Sequence, residues 1–195
     1  KYQMTIARLP LAKELADFHF ADTPINEGLV RELATGDFLA QQRNAVLIGG
    51  TGTGKTHLAV AIAYRAIQNG FEVRFTTAAA LIDELSRASR EGRLVESLAP
   101  YTHPPLLVID EVGYLSYGSD AANVLFHVVN DRHLRRRSMV FTTNKPLDAW
   151  GRVLHDPDLA AAIVDRILER GRILRLDGPS LRTKHLDLDD PTVAE

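Results

Sequence analysis

Eight consecutive residues, Gly49-Gly50-Thr51-Gly52-Thr53-Gly54-Lys55-Thr56, match the pattern G-x-x-x-x-G-K-[ST] in full. Glycines let the backbone bend so that successive N–H groups face a β-phosphate. Lys55 is expected to reach the β- and γ-phosphates, and the Thr56 hydroxyl to ligate Mg²⁺. His57 closes this cofactor-binding segment, with packing rather than chemistry as its expected role. The segment implies a bound nucleoside triphosphate and Mg²⁺. It does not say what the phosphate chemistry is for, because pumps, kinases, helicases, loaders and switches share it.

Two further polar groups fit the same chemistry. The run Leu106-Leu107-Val108-Ile109-Asp110-Glu111 is apolar until its last two residues. Asp110 at a strand tip would hold Mg²⁺, and Glu111 would polarise the attacking water. Such an acidic pair is typical of enzymes that hydrolyse ATP with their own base, and unlike small GTPases or most kinases. Asn144 ends the run "SMVFTTN". There it can touch the γ-phosphate or the lytic water, or simply begin the turn at Lys145-Pro146.

These residues need a scaffold that brings distant strand tips together. Short apolar runs at 45–48, 71–75, 106–110, 138–143 and 172–176 predict five strands. Helical patterns at 54–69, 78–98 with a break at Gly92, 120–134 and 158–169 separate them. A further helical spacing runs through "NEGLVRELATGDFLAQQ", ending near Gln42. Strand–helix alternation predicts an α/β fold with a parallel sheet covered on both faces. We expect a lead-in over 1–42, the nucleotide domain over 43–185 and an acidic tail over 186–195.

Composition excludes several classes. The 195 residues contain no cysteine, which removes disulfide frameworks and thiolate metal sites. No apolar run approaches the roughly 20 residues of a membrane span, and no signal-peptide pattern opens the chain, so the expectation is a cytoplasmic protein without membrane contact. The net charge of -2 gives no global basic signature, although the last ten residues carry four acidic groups and leave +2 on the rest. Any nucleic-acid surface must be a local patch. The start at Lys1 rather than Met leaves room for an upstream segment.

Taken together, these stretches resemble the AAA+ ATPases, and more narrowly the clade of DnaC helicase loaders and IstB-type transposition helpers. The narrower likeness rests on "ARLP", "DFHF", "GGTGTGKTHLA", "LLVIDEVGYL", "TTNKPLDAWG", "DPDLAAAIVDRIL" and "LDGPSLR", in that order. It favours an IstB-like over a DnaC-like protein and implies an AAA+ P-loop fold with a helical insertion and no C-terminal lid. It implies that Arg166 is an arginine finger acting in trans, against an Asp165–Arg166 surface pair as the plain alternative. It also implies that the insertion between the second and third strands grips nucleic acid. Arg87, Arg90 and Arg93, spaced by three there, would share one helix face opposite Leu81, Ile82, Leu85 and Ala88. Such a row suits backbone phosphates or a solvated face paired with Glu84 and Glu91. Arg182 stands where relatives carry Ser-Tyr-Arg, but Leu181 replaces the tyrosine and leaves its role open. The basic run Arg132 to Arg137 either caps a helix or meets DNA or a neighbouring subunit.

The resemblance implies an ATPase with ATP and Mg²⁺ as cofactors. It would form a homo-oligomer with shared ATP sites on duplex DNA, largely without sequence preference, and serve a cognate transposase. The alternatives are a loader acting on a replicative helicase and single strands, and a stand-alone P-loop kinase.

Overall fold

A computed structural model describes residues 7–9, 17–18 and 27–176. Five parallel strands form one sheet: β1 (Asn44–Gly49), β2 (Val73–Thr77), β3 (Leu106–Val112), β4 (Ser138–Thr143) and β5 (Gly171–Leu176). Their order is β2-β3-β4-β1-β5. Every residue of β1 and β4 is buried, and in β3 only Glu111 is exposed. Strands buried on both faces read as continuous apolar runs, which is why the sequence revealed them.

Successive side chains point to opposite faces and so feed two cores. Val46, Ile48, Ile109 and Phe141 pack with α4 (Ala78–Arg90), α6 (Ala121–Leu134), α7 (Trp150–Val153) and α8 (Pro157–Glu169). Ala45, Leu47, Val108 and Val140 pack with α1 (Glu27–Ala34) and α3 (Lys55–Gln68). The short helices α2 (Asp37–Ala40) and α5 (Leu94–Thr102) and a 3-10 turn at Leu147–Ala149 complete the elements so named.

Helix endings account for the boundaries that differ from expectation. The segment near Gln42 is two helices, α1 and α2, broken where Gly36 takes φ 86°. The second strand begins at Val73 rather than Phe71, because Phe71 belongs to the end of α3. Its N–H bonds Ala66 O and that of Gly70 bonds Ile67 O, both at 3.0 Å, the paired bonds of a Schellman motif. The same motif ends α4: Arg93 N–H bonds Ala88 O at 2.8 Å and Gly92 N–H bonds Ser89 O at 3.1 Å. Arg93 therefore stands beyond the helix that carries Arg87 and Arg90, and the expected three-arginine face is corrected to two.

The basic run spans the last three residues of α6 and the three that follow it. Arg132 is fully buried and donates to the carbonyls of Tyr101, Pro104, Pro105 and Ser138. Arg137 donates to Thr102 O and His103 O, and Arg135 pairs with Asp131. Arg132 and Arg137 fasten the turn before β3 to the start of β4.

Candidate functional site

The glycine-rich loop leaves β1 at Gly49 and enters α3 at Lys55. Gly49 passes so close to β5 that an added Cβ would lie 2.4 Å from Leu176 O. Gly54, at φ 90°, turns the chain into α3 in a conformation that favours glycine. The loop is pinned internally, with Thr53 Oγ1 donating to Gly50 O at 2.9 Å. Lys55 is 4% exposed. Its Nζ donates to Gly50 O at 2.5 Å and Thr53 Oγ1 at 3.4 Å, and lies 5.8 Å from the centre of the Tyr114 ring. Among the described residues no carboxylate pairs with this buried cation. A buried ammonium without an acidic partner, at a helix N-terminus, fits an anionic ligand. His57 sits in the first turn of the helix, its ring edge-on to Phe18 at 5.3 Å.

The sheet order brings the acidic pair to the same place. Thr56 Oγ1 donates to Asp110 Oδ1 at 3.0 Å and Oδ2 at 3.1 Å. A hydroxyl against a nearly buried carboxylate is a hard-oxygen donor set, of the kind that suits Mg²⁺. Glu111 follows at φ 63°, an uncommon conformation for a residue with a side chain. It lies in a β-bulge, because the register between β3 and β4 jumps from Ile109↔Phe141 to Val112↔Thr143. Strained backbone of this kind persists where the surroundings hold it.

Neighbouring side chains supply that hold. Glu111 N–H donates to Thr142 Oγ1 at 2.8 Å, and Thr142 Oγ1 in turn donates to Asp110 Oδ1. Tyr117 Oη receives Gly113 N–H at 3.0 Å and donates to Glu111 O at 3.3 Å. Burial pushes the Tyr117 phenol up from its usual pKa, which keeps its proton in place for that bond. His155 Nε2 meets Tyr117 O at 3.1 Å. Asn144 follows β4 directly and lies against Gly113, with its Oδ1 buried and without a partner among the described residues. The sequence pointed to Asn144 at this strand end but missed Thr142 and Tyr117. The signal for Thr142 was a hydroxyl pair directly after the apolar run Met139–Phe141.

Arg166 lies elsewhere. In β1 and β5, Asn44 pairs with Gly171 at one end and Gly49 with Leu176 at the other. The cradle follows Gly49, whereas α8 ends just before Gly171. Five residues at ~3.3 Å each separate the two ends by roughly 17 Å, and Arg166 lies about one helical turn in from the far end. Arg166 Nε donates to Asn130 Oδ1 at 2.9 Å and Nη1 to Ala162 O at 3.2 Å, with the guanidinium 4.9 Å from the Phe126 ring centre. No Asp165–Arg166 pair forms among the described residues.

The insertion arginines are exposed, and each meets an acid. Arg87 pairs with Asp83 at 3.1 Å, Arg90 with Asp120 at 3.5 Å, and Arg93 with Glu91. Glu84 instead accepts the Tyr101 hydroxyl at 2.5 Å. The opposing residues Leu81, Ile82, Leu85 and Ala88 are all buried, as expected. Arg182 and the acidic tail lie outside the described residues. Among the described residues no helix is long and apolar enough to cross a membrane.

Comparison with known proteins agrees with this architecture. A relative from Geobacillus stearothermophilus, named for the insertion sequence IS5376 and for ATP binding, is 36% identical across 95% of this chain and 74% of its own. One from Pseudomonas aeruginosa, named for IS21 and ATP binding, is 38% identical across 91% of this chain and 67% of its own. In fold, the chain is similar to the DnaC helicase loader, with TM-score 0.66 at 24% identity over 84% of this chain and 96% of that one. It is likewise similar to DnaI, with TM-score 0.70 at 21% identity over 88% and 93%. These neighbours and the strand order mark an AAA+ type P-loop fold. The family profile described as IstB-like ATP binding protein matches residues 1–188, and the chain belongs to that family.

Proposed function

We propose that this chain is an ATP-hydrolysing helper of DNA transposition, which assembles on duplex DNA as an ATP-bridged homo-oligomer and presents that DNA to a partner transposase. The observation that carries this reading is the separation of Arg166 from its own cradle. A phosphate cradle with an acid pair at one end of the sheet, and a stacked arginine at the other, makes half of two sites. Copies docking at both ends, each by its opposite end, would complete both of them.

In this mechanism the loop N–H groups from Gly50 to Thr56 and Lys55 hold the β- and γ-phosphates of ATP. Mg²⁺, held by Thr56 and Asp110, would neutralise charge on the phosphate oxygens. Glu111 accepts a proton from the attacking water, and Asn144 orients that water or the γ-phosphate. Arg166 of the neighbouring copy stabilises charge on the transferring phosphoryl group. Hydrolysis removes the γ-phosphate that both copies hold and so loosens the joint between them. Arg87 and Arg90 on α4, with Arg93 beyond its end, touch DNA backbone phosphates and carry no sequence information. Relatives named for insertion sequences favour transposition as the process served.

Electron microscopy with duplex DNA and a non-hydrolysable ATP analogue tests the reading directly. The expected result is an ordered oligomer on duplex DNA that forms only with the analogue. Assembly on single strands alone would replace this reading with a helicase loader. A monomer under all conditions would point to a stand-alone kinase.

A further inference from the structure

The acid pair owes its arrangement to one hydroxyl. Thr142 is fully buried in β4, the strand beside β3. At the bulge, Asp110 and Glu111 together stand opposite Thr142 alone. A bulge ordinarily leaves a backbone group without a ladder partner. Here the Glu111 N–H, donating at 2.8 Å, finds its partner in Thr142 Oγ1 rather than in a carbonyl. A hydroxyl has one proton to give, and Thr142 gives it to Asp110 Oδ1. One side chain therefore ties the carboxylate of one residue to the backbone of the next. The same hydroxyl holds Glu111 at its unusual φ of 63°. Asp110 is gripped from the other side by Thr56 Oγ1, from the first turn of α3.

We propose that Thr142 is a positioning residue for nucleotide hydrolysis, whose hydroxyl fixes the Mg²⁺-side carboxylate of Asp110 relative to the base carboxylate of Glu111. The proposal rests on the roles given to Asp110 and Glu111 above. It makes the hydroxyl, not the methyl, the part of Thr142 that matters. Valine keeps the shape and loses both bonds. Serine keeps both bonds and loses the methyl.

The test compares Thr142→Ser, Thr142→Val and Thr142→Ala with the parent chain and with Glu111→Gln. ATP turnover is measured across a Mg²⁺ titration, nucleotide binding is measured in EDTA, and thermal melting reports folding. The Ser variant is expected to turn over ATP within about threefold of the parent, while Val and Ala lose about 10- to 100-fold, the range of a charge-assisted hydrogen bond. Val and Ala also need more Mg²⁺ for half-maximal turnover, with nucleotide affinity in EDTA unchanged. A hydroxyl that merely stabilises the fold would shift melting and leave the Mg²⁺ midpoint of folded protein where it was. If Val fails to fold, the Ser–Ala pair isolates the hydroxyl by itself. Parent-like turnover and Mg²⁺ midpoint in Val or Ala, or a Ser variant as defective as Ala, overturns the proposal. Parent-like turnover in Glu111→Gln overturns instead the role of Glu111. The Mg²⁺ midpoint of the Thr142 variants then still reports on the Asp110 half.

Discussion

Arg166 is held against α6 by Asn130, whose Oδ1 accepts its Nε–H at 2.9 Å, while the guanidinium lies over Phe126. A cation on an aromatic face and an amide, with no acid attached among the described residues, is ordered but not neutralised. That is a suitable resting state for the proposed role of Arg166 in trans.

This arrangement predicts complementation. Arg166→Ala and Glu111→Gln subunits should each lose ATP turnover by about 10³-fold or more, the scale of an arginine finger. Mixed, they should recover part of it, because an intact cradle then meets an intact finger. Steady-state turnover of the mixture measures this. No recovery, in mixtures shown to co-assemble, means that Arg166 does not act in trans.

Glu111 predicts a conflict between stability and chemistry. Its φ of 63° costs about 1–2 kcal/mol for a residue with a side chain, a cost that glycine avoids. Glu111→Gly should therefore melt higher than Glu111→Gln, by about 2–4 °C for each kcal/mol relieved in a domain of this size. Both should be inactive. Comparing Gly with Gln removes the charge from the comparison, since neither carries one. Equal melting temperatures would mean that the bulge is not strained.

The parts of this site that were legible in the sequence are those that local pattern encodes. The cradle is a contiguous motif, and Asp110-Glu111 and Asn144 each end an apolar run. Adjacency of strands β3 and β4 then joins them. What could not be read is pairing between distant side chains. Thr142 looks like strand filler until the bulge in β3 places two residues opposite it. Asn44 looks like a strand start, yet its side chain donates to Ile167 O and accepts Met139 N–H, tying the cradle strand to the helix of Arg166. The arginine row failed for a backbone reason. Residue spacing cannot see that Gly92, at φ 71°, turns the chain before Arg93.

That break divides the proposed DNA surface. Arg87 and Arg90 stand on α4, while Arg93 leaves in another direction, paired with Glu91. If Arg87 and Arg90 each contact one backbone phosphate, replacing both with alanine should flatten the slope of log affinity against log salt by about 2 on duplex DNA. Arg93→Ala is the comparison on the far side of the turn. Nucleotide binding should not change in either variant, since none of these residues lies at the cradle. An unchanged salt slope in the double variant removes α4 from the DNA interface.

Arg132 carries the last prediction. It is fully buried and feeds four carbonyls: Tyr101 and Pro104 at 2.9 Å, Pro105 at 3.2 Å and Ser138 at 2.6 Å. Only the planar fork of a guanidinium reaches acceptors spread this way. Arg132→Lys keeps the charge but not the fork, and Arg132→Met leaves all four carbonyls without it. Each should cost about 3–5 kcal/mol in denaturant unfolding, the range for breaking a buried charged network. Arg137→Ala removes a more exposed arm of the same stitch and should cost about 1 kcal/mol. Burial, then the nearby Arg137 charge, lowers the Arg132 pKa from the usual guanidinium range to about 9. The group is thus protonated in both folded and unfolded chains at neutral pH and below, and the loss in Arg132→Met, which does not titrate, should not vary with pH there. Proton uptake would differ only above about 9, where the unfolded chain holds the proton that the folded chain releases. There, stability drawn from this residue rises with pH. Loss of the stitch would free the start of β4, and with it the register that sets Thr142 against Asp110 and Glu111. Arg132→Lys should therefore lower ATP turnover even in the fraction that remains folded, measured at a temperature well below its melt.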